Sequence, residues 1–335
     1  MQPGLASPVP PEAVMAPITP PPLPVQSRHV VPSWVRLLLS SPLAVVGVVL
    51  FMLIVVTALF GPLITRYAPL EMVGPLGVAP SGTHWFGTND SGQDIFSQVV
   101  YGARYSLVVG LCVGIIITVL ATVTGMTAGY VGGRIDDSLS MTMNVFLVVP
   151  QLPLLVVIAA YVPFTGNDPV GAASTMIIVI TITGWAWGAR VIRSQTLTLR
   201  NRDFVQSAVV AGEKQRRIIF QEVMPNMISL LANTLIMSTM GAILTEAALD
   251  YLGIGSINQV TWGTMLNKAQ ATSTLFSGEW WCFVFPGLAI AFTATSLILL
   301  NYGVDVISNP RLRVVKELGR RRFRRSSKQL VETAT

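Results

Sequence analysis

The stretch Asp203–Asn226, DFVQSAVVAGEKQRRIIFQEVMPN, lies between two apolar segments, each long enough to cross a membrane. It carries Asp203, Glu213, Lys214, Arg216, Arg217 and Glu222 before the chain turns apolar at Val223. Hydrocarbon does not accept such a density of charge. The stretch is therefore expected on one face of a membrane as an ordered loop, with helix-compatible residues on both sides of Gly212. Two short helices around a glycine make a compact, rigid projection suited to docking against another protein. The same residues would also serve as a plain amphipathic surface loop.

The rest of the chain supports a membrane setting. Of its 335 residues, 52% are hydrophobic and 11% charged, against about 25% charged in soluble domains, and the mean hydropathy is +0.62. Residues 37–65, 105–133, 138–167, 169–189, 223–245 and 280–304 contain no Asp, Glu, Lys or Arg. Each window meets the roughly 20 residues that a transmembrane helix needs. Backbone groups in lipid must be satisfied within the segment. An all-α membrane protein with six helices follows, at about 42–65, 105–130, 139–162, 170–192, 227–250 and 281–305, with residues 203–226 as the exposed loop.

Charge sets the orientation. With the N-terminus inside, every one of the 22 Lys and Arg residues except Arg66, Arg104 and Lys268 falls on the inner side. The positive-inside rule then places both termini and the 203–226 loop in the cytoplasm. The net charge of +6 reflects this asymmetry and calls for no nucleic-acid partner. The run Arg320-Arg321-Arg322-Phe323-Arg324-Arg325 in the tail 311–335 reads as an anchor against anionic headgroups of the lipid bilayer. Residues 1–32 hold 10 of the 22 prolines and read as a disordered cytoplasmic tail, leaving 33–310 as the transmembrane domain.

Several features inside that domain bear on packing and transport. Gly110, Gly114, Gly125, Gly129 and Gly133 recur near one face of the second helix, and small faces let helix backbones approach closely in lipid. Pro150 and Pro153 should kink or break the third helix, either as a static bend or beside a pathway that opens and closes. Trp185, Trp187, Arg190 and Arg193 are expected at an inner interface. Glu246 and Asp250, four apart on one helical face, repel unless water, a cation or a shared proton intervenes. They read either as carboxylates facing a translocation route or as carboxylates reaching outer water. His84, with no second ligand nearby, reads as a lone surface histidine. Cys112 and Cys282 form neither a disulfide framework nor a metal pattern.

Enzymatic motifs are lacking. There is no GxxxxGK[ST], HExxH or GxSxG, and none of the four lysines follows a glycine, so no phosphate cradle of the usual kind is present. The chain is expected to be non-catalytic, with no metal and no cofactor of its own.

The loop resembles the cytoplasmic motif of ABC-importer permeases, E-A-A, three residues, Gly, then a second helix ending in Ile-Leu-Pro. Gln206-Ser207-Ala208 stands for E-A-A, Gly212 for the glycine, and Val223-Met224-Pro225 closes the motif. Other segments resemble the dipeptide, oligopeptide and nickel branch of that family, its C-type permease subunit, in the same order. They are His84-Trp85-Phe86-Gly87-Thr88-Asn89-Asp90 with Gly92-Gln93-Asp94, Tyr101-Gly102-Ala103-Arg104-Tyr105-Ser106-Leu107, Gly241–Gly253, Thr261-Trp262-Gly263-Thr264-Met265-Leu266 and Phe285-Pro286-Gly287. The family has Arg where Gln93 stands and Glu where Gln206 stands.

The resemblance covers roughly 40–310 and implies a type I importer fold. It implies half of a translocation pathway for dipeptides or oligopeptides, a homologous permease partner forming a heterodimer, two cytoplasmic ATPase subunits that bind ATP and Mg, and an extracytoplasmic substrate-binding protein. It implies ATPase coupling through Asp203, Gln206, Ser207, Ala208, Gly212 and Pro225, while Glu246 and Asp250 are candidate pathway residues on their own chemistry. Two other readings stay open on the residues alone: an ion-coupled secondary transporter using Glu246 and Asp250, and an intramembrane hydrolase using the same pair.

Overall fold

The structure is a computed structural model describing residues 41–161, 169–255 and 259–308; the expected tails 1–32 and 311–335 lie outside the described residues. The described residues are helical, apart from connecting segments with two isolated β-bridges. The main helices are α1 (Pro42–Ile64), α2 (Ile95–Val131), α3 (Gly133–Val148), α4 (Gln151–Tyr161), α5 (Pro169–Arg200), α6 (Asp203–Val210), α7 (Ile228–Tyr251), α8 (Trp262–Ala271) and α9 (Trp281–Ser308). Five spans among them are long and apolar enough to cross a membrane, and α3 with α4 makes a sixth only if that bent pair counts as one.

Three boundaries differ from the sequence reading. The expected helix 139–162 is two helices meeting at 88°, because Pro150 has no N–H for the helical ladder and its ring crowds the preceding turn. The second helix begins at Ile95, ten residues early, since Asp94 caps it by accepting from the Ser97 N–H at 2.8 Å and the Ser97 Oγ at 2.7 Å. At about 1.5 Å per residue α2 is about 55 Å long, well beyond the ~30 Å hydrocarbon core, so charged Arg104 fits on it. The fourth helix runs on to Arg200, eight residues beyond the expected end at 192.

α2 is the central helix, and its glycines explain how closely its neighbours approach. A β-carbon at Gly125 would lie 2.5 Å from the Ala189 carbonyl oxygen, and one at Gly129 2.8 Å from the Arg193 carbonyl oxygen, both on α5. Gly110 and Gly114 meet Ile243 and Thr239 of α7. The small face is thus split between two partners, one toward each end of α2. α3 is tied to α5 by Arg193, whose Nη2 donates to Asp136 Oδ2 at 2.6 Å and whose Nε donates to Asp136 Oδ1.

The connection between α1 and α2 is an ordered cap on one end of the bundle. Asn89 Oδ1 accepts from the N–H groups of Ser91 (3.0 Å) and Gln93 (2.9 Å), forming an Asx turn. Gln93 Oε1 accepts from Asn89 Nδ2 and Gln98 Nε2, while Gln93 Nε2 donates to the Leu70 carbonyl at 3.1 Å. The amide of Gln93 therefore both donates and accepts. Trp281 Nε1 donates to the Thr88 carbonyl at 3.0 Å and joins this cap to α9. The expected surface histidine is instead buried: His84 stacks on Tyr67 and sits with Nδ1 3.1 Å from Asp94 Oδ1.

Candidate functional site: the 203–226 loop and the buried carboxylates

The loop is built from local rules. Asp203 opens α6, where a negative charge suits the N-terminal end of the helix dipole. Ser207 Oγ donates to the Asp203 carbonyl at 2.8 Å. Gln206 Nε2 donates at 3.0 Å to the carbonyl of Arg200, one of the acceptors left open at the C-terminus of α5; a glutamate there has no N–H to give. α6 stops at a left-handed Gly212, φ +75°, with the Glu213 N–H bonded to the Ala208 carbonyl at 3.1 Å, a Schellman-type closure. No atom lies within 4 Å of a β-carbon at Gly212, so glycine is favoured there by backbone conformation and not by space.

Beyond Gly212 the chain forms a short helical turn, Gln215–Arg217, then widens to a π-helix, Ile218–Val223, and tightens to a 3₁₀ turn, Met224–Met227, before α7. The change of pitch falls at Pro225, which cannot donate to the ladder. The exposed Arg217–Glu213 pair at 3.0 Å adds little stability in water.

The loop has two faces. Val205, Ile218, Val223 and Met227 are buried against Ala121, Met126, Tyr130, Met143 and Ile192, which lie on α2, α3 and α5. Phe204, Val209, Val210 (88% exposed) and Phe220 (64%) point outward. These four apolar side chains lie outside the buried cluster on a short, charged loop. Ala208 packs against the buried cluster, and Pro225 is exposed.

Glu246 and Asp250 are both buried, Glu246 completely. Ser106 Oγ of α2 donates to Glu246 Oε2 at 3.1 Å and Oε1 at 3.3 Å. Thr261 Oγ1, at the N-cap of α8, donates to Asp250 Oδ2 and also accepts from the Thr264 N–H at 3.0 Å. Gly263 sits against α7, where a β-carbon would lie 2.5 Å from the Ala247 carbonyl oxygen. Trp262 is buried and donates through Nε1 to the Val99 carbonyl at 3.0 Å. Motifs from residues 101–107, 241–253 and 261–266 therefore meet in one knot joining α2, α7 and α8. On α8, partial burial lowers the Lys268 ammonium from its usual range, and the Asp90 carboxylate offsets part of that.

Sequence reasoning missed a third feature. Gln151, Trp187, Ser238 and Thr245 line a groove that neither Glu246 nor Asp250 borders. A glutamine directly after the helix-breaking Pro150 was the available signal.

Residues 33–75 match the family described as the N-terminal TM domain of oligopeptide transport permease C. Residues 121–314 match the family described as binding-protein-dependent transport system inner membrane component. The chain is 32% identical over 280 residues to the dipeptide transport system permease protein DppC of Bacillus subtilis (strain 168), covering 83% of this chain and 85% of that protein. It is 31% identical over 277 residues to the oligopeptide transport system permease protein OppC of the same organism, covering 82% and 87%. It is also 32% identical over 286 residues to the oligopeptide permease OppC of Mycobacterium tuberculosis, covering 84% and 95%.

Proposed function

The chain belongs to the binding-protein-dependent transport system inner membrane components, and from that membership we propose that it is one of two permease subunits of an ATP-driven importer of dipeptides or oligopeptides. The observation that carries the coupling half of this reading is the two-faced loop at 203–226. Val205, Ile218, Val223 and Met227 root it in α2, α3 and α5, while Phe204, Val209, Val210 and Phe220 stay open. A cytoplasmic ATPase subunit gripping the open face would move the buried anchors with it. The rigid α6 turn closed at Gly212 and the direct run through Pro225 into α7 would carry that motion to the spans.

In this reading Asp203, Gln206, Ser207, Ala208, Gly212 and Pro225 shape the coupling element. ATP and Mg are bound by two ATPase subunits, and this chain is not catalytic. A homologous permease supplies the other half of the pathway, and an extracytoplasmic binding protein delivers the peptide. Both termini and the loop are cytoplasmic in this reading, which the distribution of Lys and Arg supports. Glu246 and Asp250 each hold a hydroxyl donor inside the bundle, so we assign them to fixing its outer end and not to carrying ions. Purification of the chain from its own membranes in mild detergent is expected to bring down both ATPase subunits. Val210→Asp with Phe220→Asp should abolish their recovery while the chain still inserts. Undiminished recovery from the double variant would overturn the coupling assignment.

A further inference from the structure

Polar side chains in the middle of a membrane span are costly unless they are bonded or wetted. A cavity of about 260 Å³ lies between α4, α5 and α7. Its wall includes Gln151 of α4, Gly184 and Trp187 of α5, and Ser238, Gly241 and Thr245 of α7. Gly184 and Trp187 fall at the middle of α5, and Ser238 and Gly241 at the middle of α7. Among the described residues the Gln151 amide, the Trp187 indole N–H and the Ser238 and Thr245 hydroxyls have no hydrogen-bond partner. Trp187 is 64% exposed and faces the groove. Four polar groups on one groove of the spanning helices, with no hydrogen bond from this chain, favour water or a polar ligand there over lipid.

The backbone supports the same conclusion. The 88° break between α3 and α4 falls at Val149-Pro150, directly beside Gln151. Non-helical backbone at membrane depth is tolerated only when buried in protein or lining a water-filled cavity, and interrupted helices are where transporters place substrate. Gly241 leaves bare backbone on the groove, with no atom within 4 Å of where a β-carbon would stand. The wall holds no charged residue, only amide, hydroxyl and indole groups with apolar ones between them. Such groups match the N–H and C=O of a peptide bond, which are common to all peptides whatever their side chains. The larger cavity beside Phe86, Phe285 and Leu288 is lined almost wholly by hydrocarbon and offers a peptide backbone nothing.

We propose that this groove is the chain's wall of the passage and holds an extended peptide through its backbone amide groups. The proposal rests on the importer reading above, and the test separates the two.

In a complex whose chain carries Cys112→Ala and Cys282→Ala, Ser238→Cys and Thr245→Cys should react with a charged methanethiosulfonate at least tenfold faster than Val119→Cys and Ile178→Cys. The latter two positions are exposed on α2 and α5 away from the groove. A pool of di- to tetra-alanine should slow the reaction at 238 and 245 only. Gly241→Leu places a side chain in the groove from a position where a β-carbon meets no atom within 4 Å and should cut ATP-driven uptake of the labelled alanine peptides at least tenfold. Gly287→Leu on α9, equally free of neighbours within 4 Å, should leave uptake unchanged. Gln151→Leu should lower uptake about three- to tenfold, the scale of one lost hydrogen bond.

Reaction at 238 and 245 as slow as at 119 and 178 overturns the proposal. So does normal uptake by Gly241→Leu, or failure of that variant to assemble with the second permease, which would make the groove a subunit seam. If the unaltered complex takes up no alanine peptide with ATP, the importer reading fails and the peptide assignment with it, while the labelling rates still decide whether the groove is wet.

Discussion

Glu246 and Gly212 are single residues whose surroundings dictate different tests. Glu246 is enclosed by α2 and α7 and accepts from Ser106 at 3.1 Å. Glu246→Gln keeps an acceptor for that hydroxyl, so the purified complex should melt within a few degrees of the parent and transport normally. Glu246→Leu strands the hydroxyl in a buried contact, a loss of about 1–3 kcal/mol, and its melting midpoint in detergent should drop clearly. Loss of uptake in Glu246→Gln at unchanged stability would show that the charge acts in transport. Gly212 sits at φ +75°, where a side chain bearing a β-carbon costs about 1–2 kcal/mol. Gly212→Val should therefore insert and bind ATPase subunits but hydrolyse ATP without matching uptake. Parental uptake in this variant would remove Gly212 from the coupling path.

At the scale of elements, α2 and α5 are held together by close backbone approach. The atom facing Gly125 is the carbonyl oxygen of Ala189, which cannot rotate away as a side chain would. A single methyl, Gly125→Ala, must push the helices apart, and overpacking of this kind costs about 1–3 kcal/mol. A lowered thermal midpoint of the complex is expected, and an unchanged one would mean that the two helices separate freely. The small-residue spacing along α2 was legible in the sequence, but not its division between α5 and α7. Residue spacing gives the face of a helix, whereas the partner along each part of that face depends on crossing angles set by the other helices.

For the whole molecule, orientation follows from charge outside the spans. In a chain lacking its native cysteines, Ser91→Cys and Gln270→Cys should react with an impermeant thiol reagent added to intact cells. Ser207→Cys should react only after lysis. Labelling at position 207 in intact cells would invert the topology and with it the placement of the ATPase subunits.

Charge-free windows and the density of charge at 203–226 determined by themselves that the chain crosses a membrane several times and that this stretch lies outside the spans, because hydrocarbon penalises charge and unsatisfied backbone wherever they fall. The glycine at 212 was equally local, since one residue's φ stops a helix. The tertiary structure alone decided that Ser106, Glu246, Asp250 and Thr261 form one knot. It also decided that Gln151, Trp187, Ser238 and Thr245, spread over nearly 100 residues, share one groove. Each of these side chains is unremarkable in its own helix. Which of them are satisfied and which are left facing a cavity is fixed only when the helices cross.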